Sequence, residues 1–241
     1  MPSAEVVIAL RGVRQDYRGL RPLRVEQFEL HEGERVALLG FDRVAAEALV
    51  NLITGATLPD SGDVDVFGAP TSAITDPDSW LAAMDRVGLL SERVVLLEAF
   101  TVEQNLALPF SLEIEEMPLA VRARVRRLAD EVGITPDQLP QPVTRLDGDT
   151  ALRVRLGKAL ALGPQVLLAE HPNAALPPAA VPRLAADLAA IAAGRQLAMM
   201  VMTADATFAR AVSDRVLTLK PATGELTPAS GWLNWRARRV R

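Results

Sequence analysis

The chain contains no cysteine. That removes disulfide frameworks, zinc–thiolate sites and a cysteine nucleophile at once, and it accords with a reducing compartment. Lysine is nearly as scarce: Lys158 and Lys220 are the only two, so any mechanism that needs a lysine in the first half of the chain is closed. No apolar run approaches the roughly 18 residues of a membrane-crossing helix, and nothing here is expected to span a bilayer. Residues 1–10 carry Glu5 and lack the basic-then-apolar order of a secretory signal. The formal net charge of −4 argues against broad nucleic-acid binding. These absences together lead us to expect a soluble, cytoplasmic protein.

What is present favours a packed α/β fold. The 241 residues are 49% apolar, enough for one large domain or two modest ones. Short β-type runs recur at 6–10, 35–39, 64–67, 87–90, 166–169, 197–202 and 215–219. Several are continuously apolar, as strands covered on both faces of a parallel sheet must be. Helical patterns lie between them at 44–54, 120–132, 150–162 and 181–193. Strand followed by helix, repeated, predicts right-handed crossovers with helices flanking the sheet. The Pro-Asp-Ser-Gly run at 59–62 and the proline-rich run at 177–182 are turn signals. Residues 92–162 hold no clear strand and read as a helical insertion.

A series of short motifs then falls in a fixed order. Gly33-Glu34-Arg35-Val36-Ala37-Leu38-Leu39-Gly40 resembles the strand entering the phosphate-binding loop of ABC-transporter ATPases. Leu49-Val50-Asn51-Leu52-Ile53-Thr54-Gly55 and Leu58-Pro59-Asp60-Ser61-Gly62-Asp63-Val64 are similar to the helix and turn that follow. Val87-Gly88-Leu89-Leu90-Ser91-Glu92 lies at the Q-loop segment, and Thr101-Val102-Glu103-Gln104-Asn105 resembles a stretch of the family's helical subdomain. Leu146-Asp147-Gly148-Asp149-Thr150 stands at the signature sequence, followed by Arg153 and by Pro164 ahead of Val166-Leu167-Leu168-Ala169. The matches run from about residue 17 to residue 226.

The resemblance implies a P-loop NTPase-like ABC ATPase fold. It consists of a mainly parallel sheet flanked by helices, an antiparallel β edge and an inserted helical subdomain. Residues 1–91 and 163–241 would form the α/β core of a single domain, with 92–162 as the helical subdomain. The style of 101–109 is most similar to ATPase subunits of lipid, lipoprotein and macrolide exporters.

The chemistry that the resemblance implies is poorly supplied. A phosphate loop needs glycines so that backbone N–H groups wrap the phosphates, a lysine to neutralise them and a hydroxyl for Mg²⁺. Here the loop reads Gly40-Phe41-Asp42-Arg43-Val44-Ala45-Ala46-Glu47-Ala48. Ala46 stands at the lysine position and Glu47 at the hydroxyl position, while Val44 and Ala45 place Cβ atoms where left-handed backbone is expected. Arg43 is the one nearby cation offered as a substitute. We expect Glu47 to lie in the first turn and to satisfy the helix dipole.

Glu170 and His171 stand at the positions of the Mg²⁺-positioning aspartate and the water-activating glutamate. Glu92 replaces the Q-loop glutamine, Ala204 the later histidine and Pro177 an aspartate. Neither Glu170 nor His171 is expected to have a supporting shell. Tyr17, the only tyrosine, lies where the family stacks an aromatic on adenine, and an ordinary half-buried ring is the alternative.

Asp147, Gly148 and Asp149 at the signature position would repel a triphosphate, meet a basic partner surface or simply open a helix. The arginine-rich stretch 121–127 offers a face for anionic lipid, an acidic partner or water. The run 232–241 mixes Trp232 and Trp235 with arginines and suits a bilayer interface, a protein groove or a mobile tail.

The leading expectation is a catalytically degenerate ATP-binding-cassette subunit, peripheral on the inner face of the membrane. It docks on a permease and pairs with a second ATPase subunit, as a hetero- or homodimer. No metal and no cofactor beyond weakly held ATP are expected. The alternative is an ATPase with a site rearranged around Arg43, Glu170 and His171, and a third reading is a soluble binding module.

Overall fold

The computed structural model describes residues 4–17, 21–74 and 76–229, so the aromatic–basic run at 232–241 lies outside the described residues. The chain opens with an antiparallel hairpin of β1 (Val6–Gln15) and β2 (Leu23–His31). Next come β3 (Arg35–Leu39), α1 (Arg43–Ile53), β4 (Ser61–Val66), β5 (Ala69–Pro70), α2 (Pro77–Met84) and β6 (Val87–Leu90). Three helices follow: α3 (Val102–Ala107), α4 (Leu119–Glu131) and α5 (Gly148–Leu160). The remainder is β7 (Val166–Glu170), α6 (Val181–Arg195), β8 (Ala198–Met202), α7 (Ala206–Val212), β9 (Arg215–Lys220) and β10 (Glu225–Pro228). This is the expected P-loop NTPase-like, ABC-ATPase architecture.

Two sheets result. One is antiparallel, ordered β2-β1-β4-β5, and the other is ordered β10-β9-β3-β8-β7-β6, parallel except for the β10–β9 edge pair. β7 and β8 are buried at all five positions each. Because side chains alternate across a strand, each of the two feeds two cores. Leu167, Ala169, Met199 and Val201 face the helical side, with Leu106, Val125, Leu156 and Phe208. Val166, Leu168, Ala198, Met200 and Met202 face the side of α1 and the antiparallel sheet, with Ile8, Leu10 and Leu49. Continuously apolar sequence is the consequence of that double cover.

Several bounds differ from expectation, and caps explain most of them. α1 begins one residue early because Asp42 caps it, and α5 begins two early because Asp147 caps it. α6 runs on to Arg195 and stops where Gln196 turns left-handed. The short helix α3 is closed by a reciprocal capping box: Thr101 Oγ1 accepts from the Gln104 amide, and Gln104 Oε1 accepts from the Thr101 amide. Buried Asn105 accepts from the Leu97 amide and donates to the Leu97 and Thr101 carbonyls, which clamps the turn ahead of it.

Two of the three helices between β6 and β7, α4 and α5, are tied to α6 through one buried charge. Arg153, whose side chain is 4% exposed, pairs with Asp149 at 3.0 Å and Asp187 at 2.9 Å, and donates to the Val132 carbonyl at 2.8 Å. Burial pulls its pKa down, and its hydrogen bonds to the two carboxylates outweigh that, leaving it above its ordinary value.

α5 approaches β6 closely at Gly88, where an added Cβ would lie 2.5 Å from the Ala159 carbonyl oxygen. Gly88→Ala is therefore expected to destabilise the fold by about 1–3 kcal/mol through overpacking. Gly194, in α6, has no atom within 4 Å of such a Cβ, and Gly194→Ala should stabilise by about 0.5–1 kcal/mol. Urea unfolding of both variants checks the pair, and equal effects of one sign would refute the packing account.

Candidate functional site

The parallel strands β3, β6, β7 and β8 deliver their C-terminal ends to one region, the usual position for a ligand crevice in an open α/β sheet. β3 leads into Gly40 and α1, β6 into Glu92, and β8 into Ala204, while β7 ends at Glu170 with His171 next. Gly40 sits at φ +90, and a Cβ there would meet the Leu219 carbonyl oxygen at 3.0 Å. It is the one position in the loop where glycine is required by both backbone and space.

Downstream of Gly40 the loop closes on itself. Asp42 is the N-cap of α1: its Oδ1 accepts from the Ala45 amide at 2.8 Å, and its carbonyl accepts from the Ala46 amide at 2.9 Å. Residues 43–45 are helical, so Val44 and Ala45 adopt no left-handed backbone. Their Cβ atoms are accommodated by turning loop into helix. Glu47 is not in the first turn, and the expectation that it satisfies the dipole is corrected: Asp42 does this from the cap. Ala46 is fully buried, and Ala48 is 8% exposed, both within the core.

A cleft of ≈ 190 Å³ is lined by Arg43, Glu47, Ser91, Glu92, Arg93, Glu170 and His171. Arg43 pairs with Glu92 at 3.0 Å. Glu170, only 8% exposed, accepts from Ser91 Oγ at 2.5 Å and from Arg93 Nε at 3.0 Å, and its second oxygen meets Arg93 Nη2. Arg93 Nη1 also reaches Glu47 at 3.5 Å. Hydrogen bonding to Glu170 raises the Arg93 pKa above its ordinary value, against the opposing pull of burial. The expectation that Glu170 has no supporting shell is thus corrected, because an unpaired carboxylate this buried would be costly.

His171 lies in left-handed backbone at φ 45, its amide held by the Met202 carbonyl at 2.8 Å. Its Nε2 is buried without a hydrogen-bonding partner among the described protein atoms.

Tyr17 is elsewhere. It lines a second cleft of ≈ 360 Å³ with Arg21, Arg24, Gly40, Asp42, Ala45 and others. The N-terminus of α1 therefore divides the candidates, with Tyr17, Gly40 and Asp42 on one side and Arg43, Glu47, Glu92, Glu170 and His171 on the other. Asp147, Gly148 and Asp149 line neither cleft. Asp147 caps α5 by accepting from the Thr150 amide at 2.7 Å, which lowers its pKa, and Asp149 is engaged by Arg153. Ala204 is exposed and brings no titratable group, while Thr203 beside it donates to Asn173 at 2.9 Å. Among the described residues, no group of three or more His, Cys, Asp or Glu side chains is arranged to hold a metal.

Arg93 and Ser91 are the functional-site residues that the sequence reading did not single out as such. A signal existed. Three acids, Glu47, Glu92 and Glu170, fall at positions that the motifs bring together, and such convergence demands cations. The arginine beside Glu92 was the unused one.

Burial and, second, the Asp42 carboxylate raise the Tyr17 phenol above its ordinary pKa. An absorbance titration of this single tyrosine should give a midpoint above the usual value of about 10. Asp42→Asn should lower that midpoint while keeping the cap, and an unmoved midpoint would disprove the contact.

The model of the ABC transporter family matches residues 23–174. The chain is 34% identical over 226 residues to a phosphonates import ATP-binding protein of Anaeromyxobacter dehalogenans, covering 91% of this chain and 45% of that one. It is 28% identical over 214 residues to a methionine import ATP-binding protein of Brucella abortus, covering 88% and 57%. A nickel import ATP-binding protein of Rhodobacter capsulatus is 35% identical over 182 residues, covering 74% and 71%. The chain thus spans about half the length of the first two. None of these three carries the name of a lipid, lipoprotein or macrolide exporter. Among solved structures, cbiO1 of Clostridium perfringens superposes with a TM-score of 0.79 at 20% identity, covering 98% of this chain and 94% of that one. A dimeric, ADP- and Pi-bound state of the cassette MJ0796 gives 0.75 at 21%, covering 93% and 100%. At those identities the likeness concerns the fold.

Proposed function

The chain belongs to the ABC transporter family, and from that premise we propose that it is a cassette subunit whose own phosphate loop is closed. The observation that carries this is the N-terminus of α1. Asp42 places a carboxylate of the chain at the end of the helix that draws anions, and buried Ala46 supplies no charge at the lysine position. A missing charge-assisted contact forgoes roughly 1.5–3 kcal/mol. Each carboxylate about 4 Å from a phosphate charge opposes it by roughly 4 kcal/mol in an effective dielectric of about 20. Against Glu47, Glu92 and Glu170 the cleft sets only Arg43 and Arg93, and both are engaged by carboxylates. The residues present do not fit a magnesium–triphosphate in the family's usual pose, so no hydrolytic step is drawn through them.

In this reading the subunit sits on the inner face of a membrane, docks on a permease through the helical segment 92–162 and pairs with a second, active ATPase subunit. Among the described residues no helix is long and apolar enough to cross a membrane. The described assembly of cbiO1 within the cbiONQ transporter complex, and of MJ0796 as a dimer, is the precedent for these partners. The import names of the relatives favour uptake over lipid export as the direction.

A second reading is an ATPase that binds and hydrolyses ATP through a rearranged site of Arg43, Glu170 and His171. The comparisons favour it over the first, since the named relatives are ATP-binding proteins. The unpartnered His171 Nε2 at the cleft is the structural feature in its favour.

Calorimetric titration with ATP, with and without Mg²⁺, separates the two readings. A closed loop gives no Mg²⁺-dependent binding up to millimolar nucleotide. Micromolar Mg²⁺-dependent binding, with turnover lost in His171→Ala, would install the second reading. For the first, tagged protein should co-purify with a permease and a second ATPase, and a lone soluble monomer would count against that assembly.

A further inference from the structure

We propose that the Arg93 guanidinium is a built-in cation that takes the place of a divalent metal in the cleft, joining Glu170 to Glu47 with no ion bound. The two carboxylates come from different elements, the end of β7 and the second turn of α1. Arg93 engages both oxygens of Glu170 through Nε and Nη2, and Nη1 extends to Glu47 at 3.5 Å. Ser91 Oγ donates to Glu170 at 2.5 Å and accepts from the Arg93 amide at 3.1 Å, which fixes the base of the guanidinium's own turn.

Drawing together oxygens from separate elements is what a magnesium or manganese ion does in a carboxylate site. A guanidinium does it with one fixed charge and directed N–H bonds, and it stays protonated at any physiological pH. It differs from a metal in one decisive respect. A metal keeps coordination positions for an incoming phosphate, whereas here Nε and Nη2 are hydrogen-bonded to Glu170 and Nη1 is paired with Glu47. The cleft is thus held together without a metal, with two of the three nitrogens of its central cation hydrogen-bonded to Glu170.

This inference deepens the closed-loop reading and rests on it for its consequence in the transporter. Its test reads metal rather than nucleotide, so either can fail alone.

The experiment is a manganese titration of the intact chain, followed by thermal melting and by the electron paramagnetic resonance of free Mn²⁺. Wild type should take up no Mn²⁺ at the cleft, and its midpoint should stay put. Arg93→Met, which removes the charge while keeping much of the volume, should melt lower. Mn²⁺ should then raise its midpoint by about 2–4 °C as the freed carboxylates bind it. Adding Glu170→Gln to that variant should abolish the rise, and Arg93→Lys, with one charge retained, should remain indifferent to Mn²⁺. A purely structural arginine would lower the midpoint with no manganese response. An Arg93→Met chain that Mn²⁺ neither stabilises nor helps to refold would overturn the proposal. So would wild-type uptake of Mn²⁺ that Glu170→Gln removes.

Discussion

Glu170 ends a strand with no solvent on either face, and its carboxylate must be neutralised where it emerges. That requirement organises the region. Arg93 folds back from the end of β6 to meet it, Ser91 fills the remaining donor position, and the turn between β6 and α3 takes its path from these bonds. Arg155 and Lys158 hold the same turn from α5 by donating to the Val94 and Val95 carbonyls. The pair is buried on the Glu170 side only, and removing Arg93 would leave that buried carboxylate without its cation, which is costly. Its effect here is to fix a geometry.

The N-terminus of α1 follows the same logic with opposite sign. A helix beginning near a cleft presents amides and a partial positive charge, and some acceptor has to meet them. In this chain the acceptor is Asp42, one residue outside the helix. Once residues 43–45 become helical, valine and alanine cause no strain, so the departures from a glycine-rich loop are mutually consistent. A negative group at the helix end and a positive group between two acids leave the site internally compensated. The family relationship establishes the scaffold on which these substitutions sit, and the relatives' names keep nucleotide chemistry in view as the competing account.

The helices between β6 and β7 are coupled to this region by polar ties as well as by packing. Arg153 draws the end of α4, the start of α5 and the flank of α6 together around one buried charge. Arg195 adds a second tie, pairing with Glu131 and donating to the Leu160 carbonyl. α5 itself lies against β6 at Gly88 and, through Arg155 and Lys158, against the turn that carries Arg93.

Much of the architecture was legible in the chain. Continuous apolar runs marked β3, β6, β7 and β8, because strands covered on both faces leave no polar position. The helices α1, α4, α5 and α6 were visible from their periodicity, with their ends misjudged where Asp42, Asp147 and Gln196 set the boundary through side-chain bonding or left-handed backbone. β2 and β10 were not among the expected strands: β2 mixes buried and exposed positions with charge, and β10 is four partly exposed residues at an edge. The sequence by itself determined that the lysine, the hydroxyl and the later glycines of the family's loop are replaced here while Gly40 is kept, since that is a matter of identity. Only the tertiary structure decided what replaced them. Pairing Glu170 with Arg93 across 77 positions, and placing Tyr17 on the far side of α1 from His171, depends on how the strand ends converge. Charge compensation acts through space over a few ångströms: the motifs show that three acids converge and need a cation, and the folded strand ends decide that Arg93 supplies it.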